Sequence, residues 1–391
     1  MFKIKTLNKI SPIGLKKFPL DNYEIGTEIS QPEAILVRSA DMLKMDMPET
    51  LRAIGRAGAG VNNIPVDVCT GKGIVVFNTP GANANAVKEL VLGAMFLSAR
   101  NLPTAIEYCK TLKGKGADVP PMVEKNKGQF AGTELRGKKL GLIGLGAIGV
   151  MVANDALSLG MTVEGFDPFI SVESAWKLSN EVKNAKGMDR LLATSDYISL
   201  HVPLTDKTKG LLNTEKFGQM KKGVRIFNFS RGGIVNNEHL KKAIADGIVA
   251  CYVTDFPDDE LLNMDKVICI PHLGASTEEA EENCASMVVD QVIDFLEHGN
   301  ITNSVNFPTC GLERNPGTTR LTIINKNVPG MVAQLSNVFS KANLNIIEMI
   351  NKSKGDLAYN IIDVAGEVTD KTVESIAKID NIIKVRALKA V

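Results

Sequence analysis

Metal-ligand spacing is absent from these 391 residues: six cysteines, at 69, 109, 251, 269, 284 and 310, form no C-x-x-C pair and no zinc pattern with the four histidines. A reduced, cytoplasmic protein is expected, its thiols serving as small hydrophobes, as the apolar runs around Cys251 and Cys269 suggest. Charge excess is missing too. Lys and Arg number 45 against 44 Asp and Glu, a net charge of +1, which removes any bulk electrostatic case for nucleic acid or an anionic membrane. No apolar run reaches membrane-spanning length, no tandem repeat is visible, and Met1-Phe2-Lys3-Ile4-Lys5 lacks the charged-then-apolar order of an export signal. The length itself predicts two or three domains with substantial cores.

The most informative segment runs from Lys139 to Gly149, where the apolar strand Leu140-Gly141-Leu142-Ile143 meets Gly144-Leu145-Gly146-Ala147-Ile148-Gly149, a G-x-G-x-x-G spacing. Gly144 suits a tight turn, Gly146 lets backbone approach a diphosphate, and Gly149 lets the next helix pack on the strand with its N-terminus toward the phosphates. A second apolar strand, Met161 to Phe166, ends in Asp167, eighteen residues after Gly149. That is the place of a ribose-binding carboxylate. An acid there repels a 2′-phosphate, and Pro168-Phe169-Ile170-Ser171 supplies no arginine to receive one, so NAD is the expected dinucleotide.

Strand-like and helix-like segments alternate over most of the chain, which predicts parallel sheets with crossover helices. Strands are expected at 34–39, 51–56 and 74–78, before the glycine turn, and at 196–203, 224–229, 250–255 and 267–271 after it. Helices at 84–99 and 277–298 would carry the chain into the dinucleotide domain and back. The expected division is 1–85 and 276–308 for a discontinuous first domain, 86–275 for the NAD domain, 309–318 for a breaker-rich linker, and 319–391 for a separate C-terminal domain. In the last, strands and helices follow a β-α-β-β-α-β order, the ferredoxin-like pattern.

Candidate chemistry gathers at strand ends. Arg231, in Ser230-Arg231-Gly232-Gly233, could bind a carboxylate through two parallel hydrogen bonds. His272, in Pro271-His272-Leu273-Gly274, supplies an imidazole that could take a hydroxyl proton. Its orienting acid is one of Asp258, Asp259 and Glu260. His201, before Val202-Pro203, is placed near the cofactor; His239 and His298 lie in charged helical surroundings and are expected to be exposed. Arg38-Ser39 and Arg56-Ala57-Gly58 offer cations for a small anion.

These motifs in this order, together with His201-Val202-Pro203-Leu204-Thr205 and Pro271-His272-Leu273-Gly274-Ala275-Ser276-Thr277, resemble the D-2-hydroxyacid dehydrogenases over nearly the whole chain. The resemblance implies two Rossmann-like doubly wound α/β domains, the substrate-binding one discontinuous, followed by a C-terminal ACT regulatory domain. It assigns catalysis to Arg231, His272 and an acid three residues after Phe256, which is Asp259. Cofactor contacts would fall on Gly144, Gly146, Ala147, Ile148, Gly149, Asp167, His201, Val202, Pro203, Ser230, Asp255 and Gly274. Arg38, Ser39, Arg56, Gly58 and Asn83 would meet the substrate's anionic end, with Lys88 either adding charge there or facing solvent. The implied reaction is NAD-dependent oxidation of 3-phospho-D-glycerate to 3-phosphooxypyruvate, which opens L-serine biosynthesis. The competing readings are a hydroxypyruvate or glyoxylate reductase and a non-catalytic NAD-sensing protein of the same fold. The ACT resemblance implies an amino-acid effector such as serine at Asn325, Asn327, Gly330 and Asn345, and assembly as a homodimer or homotetramer.

Overall fold

The computed structural model describes residues 1–388; residues 389–391, the end of the expected C-terminal domain, lie outside the described residues. Two compact units result, one made of residues 1–83 with 278 onward, the other Ala84–Thr277.

The first unit is built on five parallel strands, β1 (Phe2–Leu7), β2 (Tyr23–Gly26), β3 (Ala34–Val37), β4 (Ala53–Arg56) and β5 (Val75–Phe77), in the order β2-β1-β3-β4-β5. Every residue of β3 and β5 is buried, as a parallel strand covered on both faces requires. Strands β1 and β2 are absent from the expected strands, although the alternation of lysine with apolar residues in the first is a strand signal that could have found it. The helix Glu278–His298 returns to this sheet, and Gly55 makes the contact possible: a Cβ there would stand 2.6 Å from a Val288 methyl.

Strands β13 (Thr319–Lys326), β14 (Asn345–Lys354), β15 (Leu357–Ala365) and β16 (Ile382–Leu388) form an antiparallel sheet in the order β14-β15-β13-β16, the ferredoxin-like arrangement. Because side chains alternate along a strand, Leu321, Ile323, Ile362 and Val364 pack on the helices Met331–Lys341 and Asp370–Ala377. Ile324, Tyr359 and Ile361 enter the same core as Phe77, Val288 and Phe307. Both faces of this small sheet are therefore covered within the unit. The breaker-rich stretch before it is packed as well. Asn306 accepts from the Val76 N–H (2.9 Å) and donates to the Ile74 carbonyl (2.9 Å), and Phe307 and Cys310 are buried. Proline and glycine there prevent regular structure without preventing burial.

The second unit holds seven parallel strands, β6 (Lys139–Ile143), β7 (Thr162–Phe166), β8 (Lys183–Asn184), β9 (Tyr197–Leu200), β10 (Val224–Asn228), β11 (Val249–Thr254) and β12 (Val267–Cys269). Their order, β12-β11-β10-β9-β6-β7-β8, reverses direction between β6 and β9. Ligands of doubly wound sheets bind at the carboxyl ends of strands beside such a reversal, and the glycine turn follows β6. Between Ala99 and β6 the chain forms the helices Leu102–Thr111 and Val119–Asn126, neither of which contributes a buried residue. No helix among the described residues is long and apolar enough to cross a membrane.

Candidate active site

The three glycines of the turn stand in three different settings. Gly144 has φ +96°, and a Cβ on it would stand 2.4 Å from the His201 carbonyl oxygen. A Cβ on Gly149 would stand 2.2 Å from the Gly144 carbonyl oxygen. Gly146, exposed at the N-cap of the helix Ala147–Ser158, has nothing within 4 Å of that position. The open place lies where a diphosphate would meet the helix N-terminus, with the half-buried Ile148 and exposed Ala147 beside it. Asp167 accepts from the Leu145 N–H (2.8 Å) and the Phe169 N–H (2.8 Å). It thus braces the turn while its remaining lone pairs can receive ribose hydroxyls. Ser199 Oγ lies 2.9 Å from His201 Nε2, and burial pushes this imidazole down to about 4, so it is neutral at physiological pH. These residues fit a dinucleotide.

A paired test separates the glycine roles. Gly149→Val drives a side chain into backbone and is expected to cost about 3 kcal/mol or more. Gly146→Val is expected to melt close to the wild type while losing most of its NAD affinity, as thermal unfolding and a fluorescence titration with NADH would show.

At the ends of β10, β11 and β12 the catalytic candidates meet. Asn228, buried at the end of β10, donates to the Arg231 carbonyl (2.9 Å) and accepts from the Ser230 N–H (3.2 Å), while Ser230 Oγ donates to the Leu200 carbonyl. The loop is fastened and the Arg231 side chain stays exposed, its Nη1 donating to the Ser230 carbonyl at 2.7 Å. In the sequence Asn228 carries only one signal, an amide ending an apolar strand. Asp255, at the end of β11, is 1% exposed with neither carboxylate oxygen in a hydrogen bond of ordinary geometry. Burial lifts its pKa above the usual range, opposed by His272, the Gly274 N–H and Arg231 in that order. One buried acid therefore feels both catalytic candidates. Two bare acceptors suit a donor brought by a ligand, such as a carboxamide NH2.

His272 is exposed, its ring 4.6 Å from that of Phe256. Of the three acids considered for it, Asp258 is committed elsewhere: it caps the short helix Asp259–Leu262 by accepting from the Leu261 N–H (2.9 Å) and also accepts from Asn237 (2.8 Å). Asp259 and Glu260 open that helix, exposed, and no hydrogen bond joins either to His272 among the described residues. Lys88 takes neither of its two expected roles. With 13% of its side chain exposed, it pairs with Asp155 at 2.8 Å and ties the helix Ala84–Ala99 to Ala147–Ser158. His239 and His298, expected to be exposed, are half-buried, His239 accepting from the Thr214 N–H at 3.3 Å.

In the first unit, Arg38 and Ser39 follow β3. Ser39 N–H and Ala40 N–H both donate to the Asn8 side chain, and Arg56 Nε donates to the Arg38 carbonyl (3.1 Å). Gly58, at φ +148°, admits the Arg56 guanidinium, since a Cβ would lie 1.7 Å from its Nη1. Arg38 Nη1 is 2.6 Å from Glu281 Oε1. Asn83 is half-buried immediately before the helix Ala84–Ala99.

In the C-terminal sheet, Asn325, Asn327 and Gly330 line one cavity of about 450 Å³ together with Asn351, whereas Asn345 lines another of about 440 Å³. The buried Asn325 is already engaged, donating to the Lys326 carbonyl (2.7 Å) and accepting from Asn360 (2.7 Å), which in turn accepts from Asn351 (2.6 Å).

Residues 92–274 match the family described as D-isomer specific 2-hydroxyacid dehydrogenase, NAD binding domain. The chain is 34% identical to the D-3-phosphoglycerate dehydrogenase of Haemophilus influenzae over 386 residues, 95% of this chain and 90% of that protein. It is 36% identical to the enzyme of that name from Methanocaldococcus jannaschii over 80% of this chain and 58% of the relative, a longer protein of which it spans less than two thirds. Among solved structures, NAD+-bound 3-phosphoglycerate dehydrogenase of Entamoeba histolytica superposes with TM-score 0.60 at 26% identity, covering 80% of this chain and 99% of that one.

Proposed function

Since this chain belongs to the D-2-hydroxyacid dehydrogenases, we propose that it oxidises 3-phospho-D-glycerate at C2 to 3-phosphooxypyruvate, the step that opens serine biosynthesis. The observation that carries the reading is the grouping of exposed Arg231 and His272 around the unpartnered carboxylate of Asp255, on the sheet that also presents the glycine turn. NAD, held by the turn and Asp167 with Asp255 toward its carboxamide, supplies the hydride acceptor when bound. Arg231 binds the substrate carboxylate through its planar fork and polarises the adjacent C2–O bond. His272 Nε2 or Nδ1 takes the hydroxyl proton as hydride leaves the same carbon, and Asp259 is the acid proposed to orient it. Arg38 and Arg56, with Ser39, Gly58 and Asn83, receive the phosphate.

The asparagine-lined cavity supports an amino-acid effector such as serine, with Asn327 and Gly330 as its contacts, since Asn325 is internally satisfied. The helices Leu102–Thr111 and Val119–Asn126, which contribute no fully buried residue, and the exposed Phe96, Leu102 and Ile106 support a homodimer or homotetramer. Six free cysteines fit the cytoplasm.

Steady-state kinetics with 3-phosphoglycerate and D-glycerate, each with and without serine, tests the reading. The phosphorylated acid is expected to be preferred by at least about 100-fold in kcat/KM, the worth of a well-placed charged contact. Equal efficiency on glycerate would transfer the assignment to an unphosphorylated hydroxy acid, and a velocity indifferent to serine would remove serine as effector.

A further inference from the structure

The two ends of the helix Glu278–His298 are held in unlike ways. A helix leaves its last carbonyls without intrahelical partners, and here a run of five consecutive carbonyls is met by side chains of the C-terminal region. Arg386 donates to Phe295 O (2.9 Å) and to Leu296 O, Arg314 to Glu297 O (3.0 Å), Arg320 to His298 O (3.0 Å), and the Tyr359 hydroxyl to Gly299 O (2.6 Å). Arg320, Tyr359 and Arg386 come from β13, β15 and β16, three adjoining strands of one sheet. Arg314 joins the same sheet through Leu388 O (3.3 Å). The Arg386 guanidinium also lies 5.5 Å from the centre of the Phe295 ring. One cation at the negative end of a helix suffices to cap it. Three arginines from separate segments instead fix its position along its axis.

At the other end, 21 residues or roughly 30 Å of helix, Glu281 in the first turn pairs with Arg38 at 2.6 Å. The two side chains are 37% and 33% exposed, so the pair sits at the surface. Exposed pairs of this kind contribute little to stability, and the remaining donors of the Arg38 fork make no hydrogen bond among the described residues. A guanidinium held by one corner and open along an edge is prepared for a second anion.

We propose that Glu281 is a positioning residue for Arg38: it turns the guanidinium so that its free edge receives the anionic end of the substrate, and the arginine clamp at the far end of the helix sets where Glu281 stands. This rests on the reading above that Arg38 binds a substrate anion. The C-terminal sheet and the substrate anion are then coupled through a single rigid helix.

The test measures kcat and KM for 3-phosphoglycerate, and the affinity for inorganic phosphate by calorimetry, in the wild type, Glu281→Ala, Glu281→Gln, Arg386→Met and the double variant Glu281→Ala with Arg386→Met. Glu281→Ala is expected to raise KM and weaken phosphate binding about tenfold, the change falling on KM rather than kcat, and Glu281→Gln, which keeps an acceptor at the same reach, to recover most of it. Arg386→Met is expected to raise KM in the same way, and the double variant to go no further than the single ones. If Arg386→Met does not fold, Arg386→Lys, which caps fewer carbonyls, is expected to give a smaller rise. An unchanged KM in Glu281→Ala, an arginine variant that loses melting temperature with KM intact, or additive effects would each overturn the proposal. A wild type that turns over no 3-phosphoglycerate yet shows the same pattern in phosphate affinity would overturn the substrate reading and leave this one standing. A wild type that binds neither anion would overturn both.

Discussion

Arg320→Leu is expected to remove roughly 3–5 kcal/mol of stability, the usual cost of leaving one member of a buried ion pair behind. Arg320 and Asp363 are both 0% exposed, and the guanidinium binds both carboxylate oxygens, Nε to Oδ1 at 2.7 Å and Nη2 to Oδ2 at 2.8 Å. Its other donors reach the carbonyls of His298, Leu312 and Glu313 at 3.0, 2.8 and 2.8 Å. Leucine fills part of the volume but strands a fully buried acid and takes the donor from three carbonyls. Leucine at both Arg320 and Asp363 is expected to recover part of the loss, because the uncompensated charge disappears with its partner while the carbonyls stay unpaired. Urea unfolding of the wild type, the single variants and the double variant decides it. A single-variant cost below about 1 kcal/mol would mean that the pair is solvated in solution, and a double variant no better than Arg320→Leu would shift the cost to the carbonyls.

Much of the second unit was legible because its signals are local. The strand, the three glycines and Asp167 fall within thirty consecutive residues, and Gly144 and Gly149 are each required by a contact, with the His201 carbonyl in one case and inside the segment in the other, while Gly146 is left open. Helix Ala84–Ala99 and the C-terminal β-α-β-β-α-β order were likewise readable from composition and period alone. What escaped depends on residues far apart in sequence. Nothing near Lys88 announces Asp155, and nothing near Asn306 announces Ile74 and Val76. The breaker-rich stretch after 305 was legible as irregular but not as buried, since proline and glycine report on backbone freedom and say nothing of what Phe307 packs against. Asn228, Asn351 and Asn360 were invisible for another reason. An amide becomes informative only when the strand carrying it is known to be buried, because then its hydrogen bonds must be made inside the protein. The clamp of Arg314, Arg320 and Arg386 is the extreme case, three arginines in a chain with 45 basic residues.

His272→Ala is expected to lower kcat by about 1,000-fold, within the span attributed to a positioned acid or base, with a much smaller effect on NAD affinity. The imidazole is exposed, touches the Phe256 ring, and lies in the field of Asp255 without a hydrogen bond to it. Its removal therefore opens no cavity in the core, and the melting temperature should hardly move. Two acid variants then divide the remaining roles. Asp255→Asn keeps the shape of a buried side chain but exchanges one acceptor for a donor, so its effect is expected mainly on NAD binding, where two bare acceptors face the ligand. Asp259→Asn removes the charge that would stabilise a protonated His272, so its effect is expected on kcat, about 10- to 100-fold. Single-turnover measurements with a deuterated C2 substrate separate the two, since a chemical step slowed by loss of the base exposes the isotope effect while weakened cofactor binding does not. Near wild-type turnover in His272→Ala would remove the histidine from the chemistry. If Asp259→Asn is silent while Glu260→Gln is slow, the orienting acid is Glu260, and the short helix Asp259–Leu262 presents its second residue to the imidazole instead of its first.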